Sequence, residues 1–174
     1  MRAYRDSDAR EVHASVEESS DHLRPWLLWF ISHQSVDDTL VYIRRTQAEY
    51  VLRKAFEMGI FTLSERYLGG CALHAGDWEI PAFTIGYWIR KGQQGKGYVT
   101  EAVRLLTRFA FEDLPAERVV IYCDARNLRS ARVAERLGFV FEGQARRARR
   151  ETSGHLSDVV SYSLLRDEYH LLFH

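Results

Sequence analysis

The stretch "IGYWIRKGQQGKGYVTEAV", residues 85–103, passes through three patterns in close succession. An apolar run ends at Ile89, a glycine-rich basic loop follows, and from Tyr98 apolar residues recur at helical spacing. In a strand–loop–helix of this kind the first-turn amides and the positive end of the helix dipole converge on an anion. Gly95 and Gly97 let a ligand approach the backbone, because no Cβ intervenes, and Lys96 adds a point charge. A surface turn that uses its glycines only for positive φ is the plainer reading. Two familiar anion loops are excluded by spacing. A P-loop needs G-x₄-G-K-[ST], whereas Gly97 here follows the lysine, and the dinucleotide fingerprint needs a glycine where Thr100 stands. Both mismatches disfavour ATP and NAD.

Working outward, the apolar strand "AFTIGYWI" before the loop is preceded by "GIFTLS" and "YLGGCALHA", a hairpin turning at "ERY". The helix after the loop places Val99, Ala102, Leu106, Phe109 and Ala110 on its inner side. "RVVIYCDA" is a nearly continuous apolar strand of the kind buried on both faces. "NLRSARVAERLGF" is a helix that Asn127 caps and Gly138 closes. Two strand-like runs end the chain, from Phe139 to about Ala148 and from about Asp158 to Leu165, joined through "TSGH". Upstream, Asp8 with Glu11 forms a capping box for a helix burying Ala9, Val12 and Val16. A short aromatic helix, "DHLRPWLLWFI", follows; Ser35 with Asp38 then opens a longer one carrying Leu40, Ile43, Tyr50 and Val51. The order predicts an α/β (or α+β) domain with one mixed sheet and helices on both faces, residues 1–174 forming a single unit.

Composition narrows the function. Lys plus Arg and Asp plus Glu both total 24, so any anion site must be local rather than a general basic surface. That argues against nucleic acid as a partner. No window approaches a membrane span, and "MRAYRDSDAR" lacks the apolar core of a signal peptide, so a cytoplasmic protein is expected. The same segment reads as a chain that begins without its first strand. Cys71 and Cys123 sit inside apolar runs and read as buried thiols rather than a disulfide. The histidines form no metal-binding spacing, and no metal is expected.

The segment Gln94-Gly95-Lys96-Gly97-Tyr98-Val99 resembles the Q/R-x-x-G-x-G/A signature of GNAT-type N-acetyltransferases. "IGYWI", "GYVTEAV", "NLRSARVAERLGFVFEG" and "VVSYSLLRDEY", with "HLRPWLLWF" and "SVDDT" before them, look like the ribosomal-protein N-terminal acetyltransferase branch. The resemblance runs in order over nearly the whole chain. It implies a mostly antiparallel sheet splayed in the middle, with acetyl-coenzyme A as co-substrate. Its phosphates would lie on amides from Gln94 through Thr100, and its pantetheine arm between the strands ending at Ile89 and near Asp124. It also implies coenzyme contacts from Trp88, Ile89, Asn127 and Ser130, and often a homodimer.

Acetyl transfer to an amine requires a base, a donor for the developing oxyanion, alignment of the reactants and a donor for the departing thiolate. The resemblance places the oxyanion donor at a backbone amide near Trp88 or Ile89. The tyrosine that many superfamily members carry seven residues after the Asn127 position is here Ala134. Ser130 is the candidate donor to the thiolate instead; a first-turn helix serine is the plainer reading. The glutamate that some members of the branch use falls at Arg149, which leaves Glu151, one short register shift away, and His74 as candidate bases, with Asp77 and Glu79 behind them. Arg146, Arg147, Arg149 and Arg150 form either an acidic-substrate or phosphate surface or a solvated hairpin. Trp26, Trp29 and Phe30 line an acceptor cleft or belong to the core.

The expected activity is therefore acetylation of a primary amine, foremost a protein or peptide N-terminal α-amino group. The alternatives are a small-molecule amine acetyltransferase acting on a polyamine, aminoglycoside or amino-acid-like acceptor, and a non-catalytic acyl-coenzyme-A sensor, the latter motivated by the missing tyrosine and the unplaced glutamate.

Overall fold

The computed structural model describes residues 1–27, 34–151 and 153–173, apart from the Asp77 side chain. Trp29 and Phe30 lie outside the described residues. Seven strands form one sheet in the order β1-β2-β3-β4-β5-β7-β6. They are β1 (Arg2–Ala3), β2 (Ala55–Phe61), β3 (Tyr67–Asp77), β4 (Ala82–Ile89), β5 (Arg118–Asp124), β6 (Val140–Arg150) and β7 (Leu156–Leu165). All neighbours are antiparallel except β4 and β5. The sheet is thus mixed and mostly antiparallel, as expected.

The helices are α1 (Ala9–Glu18), α2 (Ser20–Leu23), α3 (Val36–Val51), α4 (Tyr98–Glu112), α5 (Leu128–Arg136) and α6 (Arg166–Phe173). Val12 and Val16 of α1 and Ile43 of α3 bury one apolar cluster with Tyr4, Tyr67 and Trp88 on one face of the sheet. Leu106 of α4, Val133 of α5 and Tyr169 of α6 bury a larger one with Leu73, Phe83, Ile121 and Leu164 on the other.

Parallel strands need a crossover, and α4 supplies it between β4 and β5. The two strands pair only from Ala82–Thr84 to Arg118–Val120. Beyond Thr84 they diverge, and the open wedge ends at the N-terminus of α4. This is the splay that the family resemblance implied.

Several local readings change. The proposed box at α1 does not form: Asp8 makes no side-chain cap to the helix. A 3-10 turn at Asp6–Asp8 precedes α1, so the Asp8 carboxylate accepts from the Arg5 amide at 2.7 Å and from Arg2 at 2.7 Å. Glu11 instead accepts from the Tyr67 amide at 2.9 Å, tying α1 to β3. By contrast, the cap on α3 forms as read, with Ser35 Oγ accepting from the Asp38 amide at 3.1 Å. Strand β2 begins at Ala55, before the change of period seen at Gly59, and Val51 is exposed at the end of α3. Arg2 and Ala3 pair with Gly59 and Met58 as a two-residue edge strand. Both cysteines are buried and unbridged.

Candidate active site

The wedge between β4 and β5 opens into a cavity of about 610 Å³. Ile85 through Ile89 form one wall, Tyr122, Cys123 and Asp124 the other, and α5 closes the side. The amide directions on β4 follow from one bond. Arg90 N donates to Leu68 O at 2.8 Å, so alternation turns Arg90, Trp88 and Gly86 toward β3. The amides and carbonyls of Ile89, Tyr87 and Ile85 then face the wedge. Of the two expected oxyanion donors, Ile89 is the one whose amide points that way. Its carbonyl is already taken, accepting from His22 Nε2 of α2 at 3.0 Å.

At the wide end, the loop turns into α4 with Gly95 at φ 73° and Gly97 at φ 84°. Gly97 is the N-cap residue of α4 and contributes no side chain, so nothing of its own covers the helix mouth. Among the described residues no group accepts from the amides of Gln94, Gly95, Lys96 or Gly97. A Cβ built on Gly95 or Gly97 would meet no protein atom within 4 Å. Their positive φ is one reason for glycine; the space left open over the amides is the other. Gln94, Gly95, Gly97, Tyr98, Val99 and Thr100 all line the cavity. Lys96 does not, its Nζ donating to Gln93 Oε1 at 2.9 Å.

Helix α5 adds a positive wall that the sequence reading did not single out. Arg129, Arg132 and Arg136 recur at helical spacing and line the same cavity. Arg129 donates to Gln94 Oε1, linking α5 to the loop. Arginines here and open amides opposite make a site for a multiply charged anion such as a diphosphate. The residues present therefore fit a coenzyme A phosphate chain.

At the narrow end, Asn127 caps α5, its Oδ1 accepting from the Ser130 amide at 3.2 Å. The cap holds Ser130 in the first turn, aimed back at β4. Ser130 Oγ lies 2.8 Å from the Tyr87 hydroxyl, which also donates to the Ser130 carbonyl at 3.0 Å. Burial pushes the Tyr87 phenol well above its ordinary range, with the Ser130 bond pulling weakly the other way. Both hydroxyls are therefore neutral proton donors across the working pH range. Tyr87 was hidden in the sequence because its place in a strand gives no sign of a partner 43 residues away.

The other candidates are dispersed. His74 is exposed and lines a second cavity of about 560 Å³ on the α3 side of the sheet. That cavity shares Leu27, Gly86, Tyr87 and Trp88 with the first, so the two adjoin along β4. Glu151 lines neither; its Oε1 receives Arg126 at 2.7 Å, and Arg126 also holds Asp124 at 2.9 Å. Glu79 sits in the exposed β3–β4 connection, and the Asp77 side chain is outside the described set. Of the four clustered arginines only Arg149 reaches the first cavity, where it donates to the Trp26 carbonyl. A register shift between Ala145 and Arg149, with Arg147 at φ 51°, breaks the strand alternation there. Trp26 lines the same cavity.

A splayed β4–β5 pair closed by an amide-rich helix mouth is the architecture of an acyl-carrier-dependent transferase. Residues 1–140 match the family described as "Acetyltransferase (GNAT) domain". The chain belongs to this family and is an N-acetyltransferase. It is 33% identical over 172 residues to the putative ribosomal N-acetyltransferase YdaF of Bacillus subtilis (strain 168), covering 97% of this chain and 92% of that one. It is 36% identical over 155 residues to the ribosomal-protein-serine acetyltransferase of Escherichia coli (strain K12), covering 82% and 85% respectively. Among solved structures it superposes with TM-score 0.87 and 27% identity on RimL, a ribosomal alpha-N-protein acetyltransferase in complex with coenzyme A, over 96% of this chain and 93% of that one.

Proposed function

We propose that residues 1–174 act as one domain that transfers the acetyl group of acetyl-coenzyme A to a protein N-terminal α-amino group of the ribosomal-protein type. The reading rests foremost on one observation: the wedge runs from unpaired amides and arginines at one end to the Ser130–Tyr87 hydroxyl pair at the other. The names of the relatives over most of the chain support the choice of acceptor. Bound acetyl-coenzyme A supplies the thioester carbonyl and the leaving thiol.

The remaining work falls to this chain's residues. Amides from Gln94 through Thr100, with Arg129, Arg132 and Arg136, hold the phosphates. The Ile89 amide is the donor to the developing oxyanion. Ser130 hydrogen-bonds the departing thiolate, and the Tyr87 hydroxyl, 2.8 Å from Ser130 Oγ and donating to the Ser130 carbonyl at 3.0 Å, holds it in place. His74 is better placed than Glu151 to take the ammonium proton, because it borders a cavity that adjoins the wedge along β4 while Glu151 is committed to Arg126. No described helix is long and apolar enough to cross a membrane, and this reading puts the protein in the cytoplasm with its acceptors.

The test is thiol release from acetyl-coenzyme A in the presence of peptides bearing free N-termini, together with polyamines and aminoglycosides. Release with peptides and acetylation mapped to the α-amine supports the proposal. Release with none of these acceptors overturns the enzymatic reading, and release only with the small amines overturns the choice of acceptor.

A further inference from the structure

The second cavity has a built floor. Glu57, Ala72 and Gly86 stand in direct register across β2, β3 and β4 and so point to the same face. The next row along, toward Trp88, carries Gly59 and Gly70. Ala72 and Gly86 leave a trough beneath α3, whose Tyr42 and Arg45 overhang it, while the Trp88 indole and the Tyr4 hydroxyl fill the space over Gly70. A Cβ on Gly86 would meet nothing within 4 Å, so the trough is open where it joins the wedge.

The far end of that trough is a carboxylate. The Glu57 side chain is 12% exposed. Its Oε2 accepts from the Tyr42 hydroxyl at 2.6 Å. Its Oε1 has no hydrogen bond among the described residues; Arg45 Nη2 stands 4.0 Å away, on a side chain 60% exposed and also 3.7 Å from Glu49. An ion pair that long and that solvated contributes little. One oxygen of a mostly covered carboxylate thus faces the cavity with hydrogen-bonding capacity that a ligand cation can take up.

We infer that Glu57 anchors a cationic group of the acceptor, an ammonium or guanidinium, two strand spacings, roughly 10 Å, from Gly86 on the β4 edge of the trough. This inference rests on the amine-acetyltransferase reading above and specifies its substrate. In a peptide acceptor, each extended residue spans about 3.5 Å, and the stem of a lysine or arginine adds to that reach. The trough then holds the stem against Ala72 and Trp88, and Glu57 takes the head. A polyamine offers the same chemistry at similar reach.

Two tetrapeptide amides differing only at the second residue, arginine or norleucine, separate the outcomes, with spermidine as a third acceptor. Binding is measured calorimetrically in the presence of coenzyme A, and turnover separately by thiol release. The expected result is at least tenfold tighter binding and higher kcat/KM for the arginine peptide, carried by KM rather than kcat. In Glu57→Gln, which keeps an acceptor for Tyr42, the ratio between the two peptides should collapse toward one. Equal binding of both peptides by the natural protein, or an unchanged ratio in Glu57→Gln, overturns the inference. Preference in binding without turnover on any acceptor leaves the anchor standing and overturns the enzymatic reading instead. Spermidine taken in place of both peptides, with Glu57→Gln losing it, keeps the cation anchor and assigns it to a small amine.

Discussion

Ser130 and Tyr87 meet only because a helix cap and a strand edge face each other across the wedge, so each can be tested alone. Ser130→Ala should lower kcat roughly 100-fold, the low end of the ordinary range for a positioned proton donor, while the dissociation constant for coenzyme A moves less than about twofold. Equal losses in both would make the serine a positioning group. Tyr87→Phe should lower kcat in the same direction and by less, since Ser130 keeps its own proton; no loss would mean that Tyr87 does not position Ser130. Asp124 carries a stability prediction. The Arg126 hydrogen bonds hold its carboxyl at about 2, below the ordinary 3.8, with burial opposing them. A depressed folded value means the stabilisation is complete above about pH 4 and is lost as the pH falls toward 2. Urea midpoints of the natural protein should therefore drop across that window, and Asp124→Asn should flatten the drop. An identical acid limb in both proteins would assign the effect to other carboxylates. None of these pairs was legible in the sequence. Ser130 was reached through the family resemblance, and Tyr87 and Glu57 were missed, because cross-strand and strand-to-helix neighbours leave no spacing signal.

The β4–loop–α4 unit is where sequence and structure agree most closely. β4 spans the run read as its strand, α4 begins at Tyr98, and the glycines at 95 and 97 take positive φ. The reason is physical: periodicity, glycine conformation and the start of a helix are all local properties. Gly97→Val should weaken coenzyme A binding at least tenfold, because a β-branched side chain both resists φ 84° and fills the space over the amides. An unchanged dissociation constant would mean that the loop serves another purpose. Asn127→Ala should cost about 1 kcal/mol in unfolding free energy through the lost cap, with a larger effect on kcat because Ser130 loses its anchor. Where non-local partners decide, the reading slipped. Asp8 was drawn off α1 by Arg2 and Arg5, and β6 was bent at its bulge so that Arg149 alone turned into the cavity.

Across the whole molecule, two apolar clusters hold the helices to opposite faces, and the active site lies where the sheet between them opens. The strand order could not be taken from the chain order alone, since β7 inserts between β5 and β6. β4 is thus the central strand, and Tyr122 of its neighbour β5 is exposed toward the wedge. The account depends on the wedge being a coenzyme channel that begins at the α4 mouth. The most direct measurement is a crystal structure with coenzyme A. It should show the diphosphate within hydrogen-bond reach of the amides between Gln94 and Thr100, and the sulfur between β4 and β5 beside Ser130. A coenzyme bound elsewhere on the sheet, or a diphosphate away from that loop, would contradict it.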